Sequence, residues 1–255
     1  ATLRRNIADS FVSLGRRTQN LIGLQLELIT ELEESETDPA VLESLYKLDH
    51  LATRARRNAE SLVVLGGTEA QRTGGVPVAM TDVVRATLSE VESYQRVELQ
   101  EVDLAYVPAS SAADLIHLLA ELVENGLSFS PPTTQVEVIG TRGTTGYTIQ
   151  IIDHGVGMTA DRLATANRRL SGNESFTVAP SRYLGHYVAG RLAARLGASV
   201  SLTAGSGGGV TATVTVPTSG LISDAEAAKA ITQAGGPTES GPSAANMALL
   251  LSRSA

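Results

Sequence analysis

The chain has 255 residues, enough for one large domain or two modest ones with real cores, and 42% of them are apolar. A net charge of −7 argues against broad nucleic-acid binding and against a polybasic membrane patch, although Arg54, Arg56 and Arg57 keep a local basic cluster open. The absence of cysteine excludes disulfides, zinc thiolates and cysteine nucleophiles, and no apolar run approaches the roughly 20 residues of a membrane span.

No signal-peptide pattern is present, and the first residue is Ala with a helical pattern beginning at once. A piece of a longer protein is therefore expected. Residues 3–34 predict one helix, because Phe11, Leu14, Thr18, Leu21, Gln25, Leu28 and Leu32 follow steps of three and four, a heptad seam with two polar breaks. A polar connector follows, and Asp38 with Pro39 predicts the cap and first turn of a second helix to Leu65. Leu45, Leu48, Ala52, Ala55, Ala59 and Leu62 continue the spacing, and Gly66 and Gly67 end it. The expected unit, residues 1–66, is an antiparallel hairpin, and two copies forming a four-helix bundle would bury the seam.

Residues 67–75 read as a linker. Beyond it the pattern is α+β. A strand is expected over 76–80, a helix capped by Thr81 or Asp82 to Tyr94, and a strand over 97–102. A helix capped by Ser110 or Ser111 should run to Phe129, followed by strands over 135–140 and 147–153. Helices over 160–170 and 183–196 and strands over 199–204 and 210–216 complete the set. This order predicts an antiparallel or mixed sheet with helices layered on one face over residues 76–217. Residues 218–255 turn Ala-, Gly- and Ser-rich, which predicts one short helix over 222–233 and a largely disordered tail.

Four short stretches carry polar chemistry. Glu121 and Asn125 are four apart on one helix face, and such a carboxylate–amide pair can hold hydrated Mg²⁺ or is simply a solvated face. Asp153 ends an apolar strand, where a carboxylate can accept from an adenine amino group, and Gly155 and Gly157 let backbone pass close by. Residues 183–190 lie at a loop-to-helix junction suited to phosphate. Gly207, Gly208 and Gly209 precede the last strand, as in a flexible hairpin.

In order and spacing, these stretches resemble the sensor histidine kinases of the gyrase-, chaperone- and histidine-kinase-type ATPase superfamily. ELVENGLSFSPP (residues 121–132) resembles the N box, DHGVGM (153–158) the first glycine box, YLGHYVAGRLAARLG (183–197) the second, and GGGVTATVTVP (207–217) the terminal one. The resemblance covers about residues 76–217. It implies an α/β sandwich binding ATP and Mg²⁺ beneath a lid near residues 170–182. It further implies that Asn125 ligates Mg²⁺, Asp153 binds adenine, Gly155 and Gly157 shape its pocket, Gly185 lies under the phosphates, and Thr211 lies near the adenine end. Glu121 would be a base. Ser128, Tyr183, His186 and Val210 depart from the family pattern.

Of four histidines, His117 reads as a helix-packing residue, and His154 and His186 fall in the boxes. His50 remains as candidate phosphoacceptor, with Asp49 adjoining. It lies on the second helix rather than the first, and LDHLATRARRNAESLVVLGG (residues 48–67) resembles actinobacterial sensor-kinase-like proteins, some associated with small GTPase-system partners. Three readings follow. One is a cytoplasmic homodimeric histidine kinase, this fragment making no membrane contact, that serves a response regulator or other signalling protein. The second is a nucleotide-binding scaffold that recruits partners. The third is an ATPase or serine kinase of the same superfamily.

Overall fold

A computed structural model describes residues 2–65, 75–171, 184–205 and 207–233, and for residues 2–9, 50 and 65 the backbone alone. Most of the expected linker, lid and tail lie outside the described residues.

Two long helices, α1 (Thr2–Ser35) and α2 (Pro39–Leu65), pack against each other as a hairpin. Asp38 caps α2, its Oδ1 accepting from Ala40 N at 2.8 Å. The apolar seam divides. Ile22, Leu45 and Ala59 are buried between the helices, whereas Leu14, Leu21, Leu28, Leu32 and Leu48 are each more than half exposed.

The remaining elements are β1 (Val78–Ala79), α3 (Met80–Ser89), β2 (Val97–Val102), β3 (Tyr106–Val107), α4 (Ala109–Phe129), β4 (Val136–Arg142), β5 (Gly146–Ile152), α5 (Ala160–Leu170), α6 (Leu184–Leu196), β6 (Ser199–Ala204), β7 (Val210–Pro217) and α7 (Asp224–Gln233). Five strands form one mixed sheet in the order β2-β4-β5-β7-β6, with β2 parallel to β4 and the other pairs antiparallel. A two-stranded antiparallel sheet of β1 and β3 stands apart.

The sheet alternates as a half-buried surface should. Val136, Val138, Tyr147, Ile149, Ile151, Val210, Ala212, Val214 and Val216 are buried and join Leu115, Leu118, Leu119 and Leu122 of α4 and Val188 and Leu192 of α6 in one core. Glu137, Gln150, Thr211, Thr213 and Thr215 alternate with them and are only partly covered. Helices therefore cover one face.

Several elements differ from expectation, among them β1, which is Val78–Ala79 where residues 76–80 were expected. Helix α3 starts at Met80 with no side-chain cap and stops at Ser89, because Glu90 and Val91 close it with turn bonds to Thr87 O and Leu88 O and a short 3₁₀ turn takes Tyr94–Arg96. Helix α4 starts at Ala109, one residue ahead of the expected serine caps, with Pro108 preceding it. Strand β3 has only two residues, too few to show a period.

Candidate nucleotide site

A cavity of about 520 Å³ lies between α4, the ends of β5 and β7, and helices α5 and α6. Its size falls within the range of small-molecule sites, roughly 300–1,000 Å³. Apolar walls come from Leu122, Phe129, Ile151, Met158, Leu202 and Val210. Polar groups enter from few points, chiefly Asn125, Asp153, Asp161, Arg162, Arg169 and His186.

Asp153 leaves the sheet directly after β5, and its backbone stays tied to β7 through Asp153 N donating to Val210 O at 3.0 Å. Its side chain is only 8% exposed. Oδ1 accepts from Gly155 N at 2.8 Å, which fixes the carboxylate. The hydrogen bond given for the Asp153 side chain uses Oδ1, which leaves the other carboxylate oxygen available as an acceptor at the cavity wall. The turn after it requires glycine twice. A Cβ on Gly155 would overlap Phe129 O at the end of α4, and Gly157 has φ +68°, a left-handed conformation.

Asn125 lines the cavity from the last turns of α4. Its Nδ2 is buried and has no hydrogen-bond partner among the described residues. Gly185, at the start of α6, lies against the same helix: a Cβ there would stand 2.7 Å from Glu121 Oε2 and 3.5 Å from Asn125 Nδ2. Of the expected group, Asn125, Asp153 and Gly157 line the cavity, while Gly155 and Gly185 do not border it and pack beside lining residues, against Phe129 and Asn125.

Two site expectations meet a different geometry. Thr211 does not border the cavity. Val210 and Ala212 do, and because strand side chains alternate, Thr211 lies on the opposite face of β7. Glu121 also does not border it. It lies behind Asn125, engaged by Arg57 of α2 at 3.7 Å and by His117 Nε2 at 3.5 Å. Burial pushes the Glu121 carboxyl up, but the hydrogen bond and charge of His117, the Arg57 guanidinium and Ser61 together hold it below the ordinary carboxylate value. Glu121 is consequently a carboxylate at neutral pH, already committed to two basic partners.

His117 is buried, with Nε2 3.1 Å from Ser61 Oγ. That hydroxyl donates to Arg57 O at 3.0 Å, so it can accept from the imidazole. His154 faces away from the cavity, with Nε2 2.9 Å from Glu137 Oε1. His50 lies on α2; its side chain is outside the described residues.

Sequence reasoning missed three supporting groups. Arg57 is 2% exposed and links α2 to the nucleotide-binding layer, donating to Glu90 O at 2.8 Å and pairing with Glu124 as well as Glu121. Arg54 and Arg56 pair with Glu92 and Glu60, so all three members of the basic cluster have carboxylate partners. Arg96 donates to Pro131 O at 2.7 Å and Thr134 O at 3.2 Å, which holds the loop that carries the end of α4 against the sheet. Asn167 bonds both backbone groups of Leu202, at 2.9 and 2.7 Å, and thereby seats α5 on edge strand β6. Arg57 and Ser61, four apart and in line with the apolar position Val64 of α2, were the signal available for the first of these.

Residues 110–220 match the family described as histidine kinase-, DNA gyrase B-, and HSP90-like ATPase. The match runs from the start of α4 to just past β7, so this part of the chain is similar to that family's ATP-binding domain. No curated protein sequence matches the chain. Full-length ShkA in complex with AMPPNP shares the fold, with a TM-score of 0.53 and 17% identity over 82% of this chain; the match spans 45% of ShkA. The mycobacterial sensor histidine kinase MprB aligns at 20% identity and a TM-score of 0.45, over 55% of this chain and 95% of its own. The ATP-binding domain of PrrB from Mycobacterium tuberculosis aligns at 22% identity and 0.44, over 56% and 96%. No helix among the described residues is long and apolar enough to cross a membrane.

Proposed function

We propose that this chain is the cytoplasmic core of a sensor histidine kinase that binds Mg-ATP in the cavity and phosphorylates His50, as a homodimer, for transfer to a response regulator or related signalling partner. The observation that carries the reading is the pairing of Asp153 and Asn125 in one mostly apolar cavity. Asp153 is fixed through Gly155 N with one carboxylate oxygen left over, and the Asn125 amide is buried with Nδ2 unpartnered among the described residues. An adenine amino group suits the open Asp153 oxygen, and the apolar walls suit the base. Asn125 would supply one amide oxygen to Mg²⁺, an ion that keeps several waters and takes phosphate oxygens. Magnesium would contribute charge neutralisation; the chain's own part is positioning.

The exposed leucines of α1 and the exposed Leu48 and Leu51 of α2 support a second copy packed on the hairpin. His50 lies on that same hairpin, seven residues before Arg57, or about 10 Å along the helix axis.

One observation favours a second reading, a nucleotide-gated scaffold that recruits partners, including GTPase-system proteins. Arg57 ties the hairpin to Glu121 and Glu124 beside the site, so nucleotide occupancy and hairpin position share a contact. The commitment of Glu121 to Arg57 and His117 weighs against a simple ATPase with Glu121 as its base.

The test is incubation with γ-labelled ATP and Mg²⁺ followed by acid treatment, for the wild type, His50→Ala and Asn125→Ala. Acid-labile label absent from both variants supports the kinase. Label that survives in His50→Ala, or that resists acid, overturns the assignment to His50, and ATP binding with no label supports the scaffold.

A further inference from the structure

The cavity is short of positive charge on the side that should need it. Helix α4 frames it with Leu122, Asn125, Gly126 and Phe129, yet α4 contains no Lys or Arg, and its single histidine, His117, is engaged with Ser61 and Glu121. Asp153 and Asp161 add carboxylates to the lining. Among the described residues, the basic groups that line the cavity lie on α5 and α6.

His186 is placed for this. It is 7% exposed and lines the cavity, one residue after Gly185, which abuts Glu121 and Asn125. Its Nδ1 is buried and has no hydrogen-bond partner among the described residues. Its core-facing neighbours on the same helix, Val188, Ala189 and Leu192, are apolar and fully buried, so packing at this level is done by hydrocarbon. An imidazole with an unpaired nitrogen lowers stability where an aliphatic side chain would serve, unless something binds it. Arg162 and Arg169 of α5 line the same cavity.

Resting on the nucleotide reading above, we infer that His186 recognises the phosphate chain of the nucleotide, donating a ring N–H to a phosphate oxygen from the start of α6. It is a binding residue for the part of the ligand that Asp153 does not reach, and it makes the site discriminate nucleotides from nucleosides.

The experiment measures displacement of a fluorescent ATP analogue by ATP, ADP and adenosine, each with Mg²⁺, from the wild type, His186→Leu and His186→Asn. His186→Leu should weaken ATP and ADP about tenfold or more and leave adenosine unchanged, and His186→Asn, which keeps an N–H donor, should restore most of the loss. Unchanged adenosine binding also shows that the variants fold. Equal weakening for adenosine, unaltered ATP and ADP affinity in His186→Leu, or no recovery in His186→Asn would overturn the inference while leaving the nucleotide site standing. A wild type that binds none of the three would overturn the site itself.

Discussion

Helix α4 buries its leucines and helix α1 does not. Leu115, Leu118 and Leu119 are each at most 2% exposed, whereas Leu14, Leu21, Leu24, Leu28 and Leu32 are each more than half exposed. Both helices have apolar residues at three-four spacing. The difference lies in what faces them. A five-stranded sheet and α6 close over α4, while α1 has only α2 beside it and presents the rest of its stripe outward. Periodicity specifies a helix and a face to be covered, and it is silent on whether the cover comes from the same chain.

The contrast predicts different sensitivities in the two regions. The largest effect should come from the buried tie between them. Arg57→Met leaves Glu121 and Glu124 without their guanidinium and should cost about 3–5 kcal/mol. Hydrogen exchange would read this as faster exchange in α2 and the middle of α4. Ile149→Ala, which opens the fully buried sheet core, should cost about 2–5 kcal/mol in urea unfolding.

A smaller, pH-dependent effect comes from Glu121. Its folded carboxyl titrates below its unfolded value, so its contribution is fully present above the unfolded value of about 4.5 and is lost as pH falls through the lowered folded value. Stability should therefore decline through that acid window, and Glu121→Gln should flatten the decline. The smallest effect on the single chain belongs to Leu21→Ala, within about 0.5 kcal/mol at dilution, because Leu21 is already 64% exposed. The same change should weaken self-association in sedimentation. A large loss at dilution with no change in association would break the comparison.

Much of the site was legible because its parts are local. Asn125 lies in the last turns of an apolar helix, Asp153 directly follows an apolar strand, and the glycines two and four residues after Asp153 allow the turn between backbone segments. Thr211 misled because a one-residue step along a strand changes the face, and Val210 and Ala212 are the residues that reach the cavity. Arg57 was read as part of a basic surface run, since its carboxylate partners lie more than sixty residues away on another helix. His186 was visible as a departure in a motif, but its unpaired nitrogen emerges only from the packing of α6 against α4. Strand order and the hairpin's exposed face were likewise out of reach, being set by contacts between distant segments.

On the proposed reading, Asp153 and Asn125 organise the cavity between α4 and the sheet as a nucleotide site. Calorimetric titration with Mg-ATP tests it most directly. Saturable one-to-one binding is expected, at least tenfold weaker in Asp153→Ala and weaker, with reduced dependence on Mg²⁺, in Asn125→Ala. Binding that is absent in the wild type, or unchanged in both variants, would contradict it.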